Sequence, residues 1–191
     1  MNRTPGLTSI VLITFFLGVL CVRSEETNIY PKSRLELAEE RTGVVLVRGT
    51  ENVGSVAGNR GEVQVQVRET KDVTSSQRDY GVIITVFQGE GTAGATYVDY
   101  DELPALIQNL DYVSKANWSL TSLGHFDASY TTRAGLRVVT YSSTRSGLIE
   151  GAVVSQRVVR SRASLTTAQL DLLRSTLEVA KTKIDELQKV K

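Results

Sequence analysis

Residues 87–100 read FQGEGTAGATYVDY and place Gly89-x-Gly91-x-x-Gly94 directly after an apolar run. That spacing is a dinucleotide-binding fingerprint, and taken at face value it would make the chain a doubly wound α/β protein. The fingerprint needs a helix after its last glycine, because the pyrophosphate rests on the free N–H groups of a helix N-terminus. Gly94 instead leads into ATYVDY, rich in β-branched and aromatic residues and without helical spacing. Glu90 would put a negative charge in the phosphate cradle, and Asp111, placed about where a ribose-binding acid is expected, falls inside a helical pattern. The stretch reads as a hairpin loop between paired strands, with no nucleotide cofactor, and its sheet as antiparallel.

Outward from this loop the same texture continues. Val63, Val65 and Val67 alternate with Glu62, Gln64, Gln66 and Arg68, the period-two signature of a strand with one wet face. Similar runs at 43–49, 80–88, 95–100, 122–131, 136–142 and 148–159 bring the expectation to about seven strands, most joined by short turns. Two helices are expected. Leu103, Leu106, Ile107, Leu110 and Val113 share one helical face, with Pro104 in the first turn and Asp101 as the expected cap. At the C-terminus Thr166 and Gln169 have capping-box spacing, Leu165 and Leu170 form a staple across it, and Leu170, Leu173, Leu177, Ala180, Ile184 and Leu187 recur at three and four. The expected fold is α+β: an antiparallel sheet of about seven strands, sandwich or roll-like, with one internal helix and a C-terminal amphipathic helix packed on it. In outline this resembles pleckstrin-homology-like folds, from which the helix near Leu103 departs.

The first residues differ in kind. Arg3 precedes an uncharged stretch whose centre reads SIVLITFFLGVLC, the pattern of a secretory signal peptide over residues 1–24, with cleavage expected after Ser24. An uncleaved membrane anchor and a lipid on Cys21 are the alternatives. Residues 25–42, charged and carrying Pro31, read as a leader or tether with a hint of helix around Leu35 to Ala38, and residues 43–191 as a single domain. Removal of residues 1–24 takes away Arg3, Arg23 and the only cysteine, leaving 20 basic against 21 acidic residues, net −1. The exported chain then has no disulfide and no thiolate chemistry, which suits a periplasm or cell surface.

Chemistry-bearing residues are sparse. His125 is the only histidine, so multi-histidine metal sites are excluded, and a secreted hydrolase would have to use His125 oriented by Asp127 on one strand face. Asp99, Asp101 and Glu102 are the densest acid cluster, but their position at a helix start answers the helix dipole as well as it would a calcium ion. Charge distribution says more. Residues 25–130 carry net −7, residues 131–165 net +5 and residues 166–191 net +1. The middle block holds Arg133, Arg137, Arg145, Arg157, Arg160 and Arg162 against Glu150 alone. Guanidinium forks suit carboxylate or phosphate, so an arginine-rich face is expected to meet an anionic partner: a protein, a lipid headgroup or a glycan. The competing expectation is that these arginines pair internally with the acids of the first half.

The functional expectation is an exported, non-enzymatic binding domain without cofactor or metal, with Arg133, Arg137, Arg157, Arg160 and Arg162 as its contact residues. Nucleic acid is not the expected partner, since the mature chain is not basic overall and few aromatics interleave with the arginines. The alternatives are the His125–Asp127 hydrolase and a membrane-tethered assembly subunit that dimerises through the C-terminal helix.

Overall fold

The computed structural model describes residues 30–89, 91–144, 146–157 and 159–189. The proposed signal segment, Glu90 of the glycine loop and Arg145 of the arginine block lie outside the described residues. From Tyr30 the stretch expected as a leader lies on the domain, and its hint of helix is α1, Arg34–Glu39. Then come β1, Leu46–Ala57, β2, Glu62–Asp72, β3, Arg78–Phe87, and β4, Ala93–Asp99. A single 3-10 turn at Tyr100–Glu102 leads into α2, Leu103–Ser114. The second half repeats the plan with β5, Asp127–Thr131, β6, Leu136–Ser142, β7, Ile149–Ser155, β8, Ser161–Leu165, and α3, Thr167–Lys189.

The fold is α+β, but the strands make two four-stranded antiparallel meanders, β1-β2-β3-β4 and β5-β6-β7-β8, in place of one sheet of about seven. An eighth strand appears because the run at 148–159 ends at Ser155 and restarts at Ser161. The sequence between them, QRVVR, contains none of the glycine, proline or asparagine that mark a turn. Strand β1 is also longer than its apolar run: ladder pairing carries it from Leu46 opposite Asp72 to Ala57 opposite Glu62, across a bulge between Asn52 and Gly54. The helix between the sheets, α2, sets the molecule apart from the seven-strand, one-helix outline.

One core joins these parts. Val63, Val65 and Val67 from β2, Val82, Ile84 and Val86 from β3, and Leu136, Val138 and Val153 from the second sheet pack around Leu106 and Leu110 of α2 and the stripe of α3. Helix α3 lies over β1 and β2 and beside α2. Its capping box forms reciprocally: Gln169 N donates to Thr166 Oγ1 at 3.2 Å, and Thr166 N donates to Gln169 Oε1 at 2.8 Å. At the start of α2 the expected cap does not form. Asp101 lies in the 3-10 turn and makes no side-chain cap, because its carboxylate is bound by Arg34 and Arg133.

The sheets meet where β4 passes the β7–β8 turn. Thr96 and Ser155 hydroxyls are hydrogen-bonded at 2.9 Å in the interior. A Cβ on Gly94 would fall well inside contact distance of the Val159 carbonyl and the Ser155 and Ser161 hydroxyls. Gly94→Ala is therefore expected to lower stability by about 1–3 kcal/mol, as overpacking of a close contact does, and chemical denaturation beside Gly124→Ala, where a Cβ meets open space, measures it.

Candidate functional site

The glycine loop is a hairpin between β3 and β4, closed by Gln88 N donating to Thr92 O at 2.9 Å. Gly89 and Gly91 both have φ of 87°, the left-handed region that glycine enters without strain. A strand continues through Gly94, so no helix terminus faces the loop.

His125 lies exposed in the loop before β5, and among the described residues its ring makes no hydrogen bond or ion pair. Asp127 is instead bound by Arg137, with Nη2 to Oδ2 at 2.9 Å. The structure does not bring His125 and Asp127 together. The acids Asp99, Asp101 and Glu102 are similarly committed. Asp99 accepts the backbone N–H groups of Arg34 and Leu35 at 3.0 and 2.9 Å, at the start of α1. Glu102 accepts the N–H of Arg133 at 2.7 Å, and Arg133 Nη2 lies 2.9 Å from Asp101. Among the described residues no group of three or more acid, histidine or cysteine side chains is arranged to hold a metal ion. The stripe offered as a dimer seam is also in use: Leu170, Leu173, Leu177, Ala180 and Ile184 are fully buried in the core of the same chain.

The arginine block divides into two kinds. Arg133 and Arg157 tie the molecule together. Arg157, whose side chain is 4% exposed, pairs with Glu36 of α1. Burial raises the Glu36 carboxyl above its usual range more than the charge of Arg157 lowers it, which marks the pair as a desolvated contact. Arg137, Arg160 and Arg162 belong to the outer face of the second sheet. Arg137, Val154 and Arg162 are register neighbours across β6, β7 and β8, and Tyr141 pairs with Glu150 farther along the ladder. Val139 and Val154 point outward yet stay buried, each 7% exposed, under the long side chains around them.

Arg137 is shared between Asp127 and Ser129, the latter at 3.2 Å. Among the described residues no carboxylate lies within ion-pair distance of Arg160 or Arg162. The Arg162 guanidinium stacks 5.4 Å from the centre of the Tyr141 ring and donates to its hydroxyl at 2.8 Å. Tyr141 in turn donates to Glu150 at 3.0 Å. Burial, then the hydrogen bond to Glu150, push the Tyr141 phenol up, so it remains a neutral relay. A depression of about 240 Å³ lies among Arg137, Arg160, Arg162, Tyr141 and Gln156. Two buried atoms of its walls, the donor Arg137 Nε and the acceptor Gln156 Oε1, have no hydrogen-bond partner. Arg160 and Arg162 were legible in the sequence as part of the block; Tyr141 and Gln156 were not, because only the register places them beside it. Comparison with family models, curated proteins and solved structures finds no match to this chain.

Arg157→Ala leaves Glu36 half-enclosed without its partner and is expected to cost about 3 kcal/mol, whereas Arg160→Ala is expected to stay within about 0.5 kcal/mol; paired urea titrations compare them. Acid should loosen α1 through Glu39. Burial opposes ionisation of Glu39, but the hydrogen bond and charge of Arg68, with Thr70 and Arg48, outweigh it and hold the carboxyl below its usual range. A depressed folded pKa stabilises above the unfolded value of about 4.3 and is lost as pH falls through the folded value. The protection factors of the Leu37 and Glu40 amides, which donate to Ser33 O and Glu36 O, should fall over that acid window in the wild type. In Glu39→Gln they should already be low at neutral pH, with a weaker acid dependence.

Proposed function

We propose that the chain is an exported, non-enzymatic binding domain that takes an anionic partner on the outer face of its second sheet through Arg137, Arg160 and Arg162. The observation that carries this reading is the division of the arginine block. Two of the arginines expected at the site, Arg133 and Arg157, are used up in ion pairs. Three share an open face on which only Asp127 and Glu150 oppose them. Guanidinium groups held over buried aliphatic side chains keep their forks turned outward at little entropic cost, which favours two-point contact with a carboxylate, phosphate or sulfate. Export supplies the setting: a periplasm or a cell surface, where the chain works either free and without cysteine once residues 1–24 are removed, or held by those residues as an uncleaved anchor.

Retention on an immobilised sulfated polymer tests this. The wild-type protein should elute at a salt concentration that Arg160→Glu and Arg162→Glu together lower sharply, and Asp127→Asn raises, because exposed charge contacts are screened by salt. Near-ultraviolet circular dichroism should be the same for all three. Retention unchanged by the two charge reversals would overturn the assignment.

A further inference from the structure

We propose that this face binds a uronate-bearing polysaccharide, with Arg60 and Arg162 taking a sugar carboxylate and Glu150 with its neighbouring hydroxyls taking sugar hydroxyls. The proposal rests on the anion-binding reading above and names its ligand.

Arg60 comes from the first sheet and does not belong to the arginine block of the sequence. The β1–β2 hairpin closes with Gly58 N to Gly61 O at 2.9 Å and hooks onto β8, where Asn59 N donates to Ser164 O at 2.8 Å and Ser164 N to Arg60 O at 2.7 Å. A Cβ on Gly58 would collide with the Ser164 carbonyl, so the hairpin is seated directly on the strand. Arg60 is thereby fixed two residues along β8 from Arg162, and both are exposed. Between them opens a hollow of about 590 Å³ whose walls include Asn59, Arg60, Tyr141, Ser146, Glu150 and Arg162. That volume is in the range of small-ligand clefts, about 300–1,000 Å³.

The chemistry of the hollow selects among anions. Glu150 accepts from Ser146 at 2.8 Å and from Tyr141 at 3.0 Å, and these hydrogen bonds, Ser146 first, hold its carboxyl below the usual range. A fixed negative charge beside Arg162 works against a phosphate dianion. A uronate brings one negative charge and several hydroxyl donors, which Glu150, Asn59 and the serines are able to satisfy. The hollow also shares Tyr141 and Arg162 with the depression that holds Arg137, Arg160 and Gln156. Adjoining cationic hollows with a common wall suit a polymer that carries a carboxylate at each repeat. Anionic lipid is the weaker match, because the exposed apolar side chains of this sheet, Leu148 and Val159, stand at opposite hairpin turns and not on the arginine face.

The test is calorimetric titration of the mature protein with an oligogalacturonate, with the same chain as its methyl ester, and with phosphatidylglycerol vesicles. The oligogalacturonate should bind and its ester should not, and Arg60→Ala and Arg162→Ala should each weaken binding about tenfold or more. Arg60→Lys, which keeps the charge and loses the fork, should fall between, and serves if the alanine variant does not fold. Glu150→Gln should weaken oligogalacturonate binding while strengthening that of inorganic phosphate. Binding to the vesicles with none to oligogalacturonate would overturn the ligand class and leave the anion-binding face standing. Absence of binding to oligogalacturonate, vesicles and sulfated polymer alike would overturn both.

Discussion

The placement of the two sheets depends on a contact with no slack. Among the described residues they share one bridge, Arg60 to Ser164, and otherwise touch side by side along β3, beside β7 and β8, and where β4 meets the β7–β8 turn. There Gly94 contributes no side chain, and Thr96, Ser155 and Ser161 contribute small hydroxyls, so two backbones approach as closely as ordinary packing allows. Interiors are dense enough that a displaced neighbour must move something else. The turn held in this way aims Arg157 inward at Glu36 and leaves Arg160 and Arg162 on the outer side. The same contact thus sorts the arginines into structural ties and open donors, and no count of charges along the chain contains that information.

The charge imbalance of the sequence is resolved on the same principle. The acidic first half and the arginine block do neutralise each other, but only where the fold desolvates a pair or gathers several charges. Arg133 among Asp99, Asp101 and Glu102, and Arg157 on Glu36, are such places. Arg137 on Asp127 is an exposed pair and contributes little by comparison. Internal pairing, one of the two expectations drawn from the sequence, therefore holds for Arg133 and Arg157, while among the described residues Arg160 and Arg162 have no carboxylate within ion-pair distance.

The legible part of the fold came from periodicity. The α3 stripe, its capping box, the α2 face and the valines of β2 all depend on spacing within one element, and hydrophobic burial enforces that spacing directly. The illegible part depends on partners distant in sequence. Strand β1 extends through polar, exposed residues because β2 pairs with it, and the run at 148–159 breaks without a turn residue because a buried ion pair draws Arg157 out of the ladder. Asp101 looked like a cap by its position, and two arginines from elsewhere take its carboxylate. For the proposed binding face, the sequence offered the arginines, while Arg60, Tyr141 and Gln156 join them only through hairpin seating and strand register.

Each half of the chain runs through four strands into a helix, the first half with α1 in addition, and the outer faces of the two sheets differ. On the first sheet α1 buries Leu35 and Ala38 and sets Glu39 among Arg68, Thr70 and Tyr97, so that face is covered and its charges are satisfied. On the second, Val139 and Val154 lie in the depression walled by Arg137, Arg160, Arg162, Tyr141, Asp127 and Gln156. Long side chains are needed there to keep the two valines from water, but neutral ones would do so as well. Arginine is a demanding choice there: it is rich in rotamer entropy and in donors that need acceptors. Its repeated use on the uncovered face supports the proposed reading of that face as one that takes an anionic ligand.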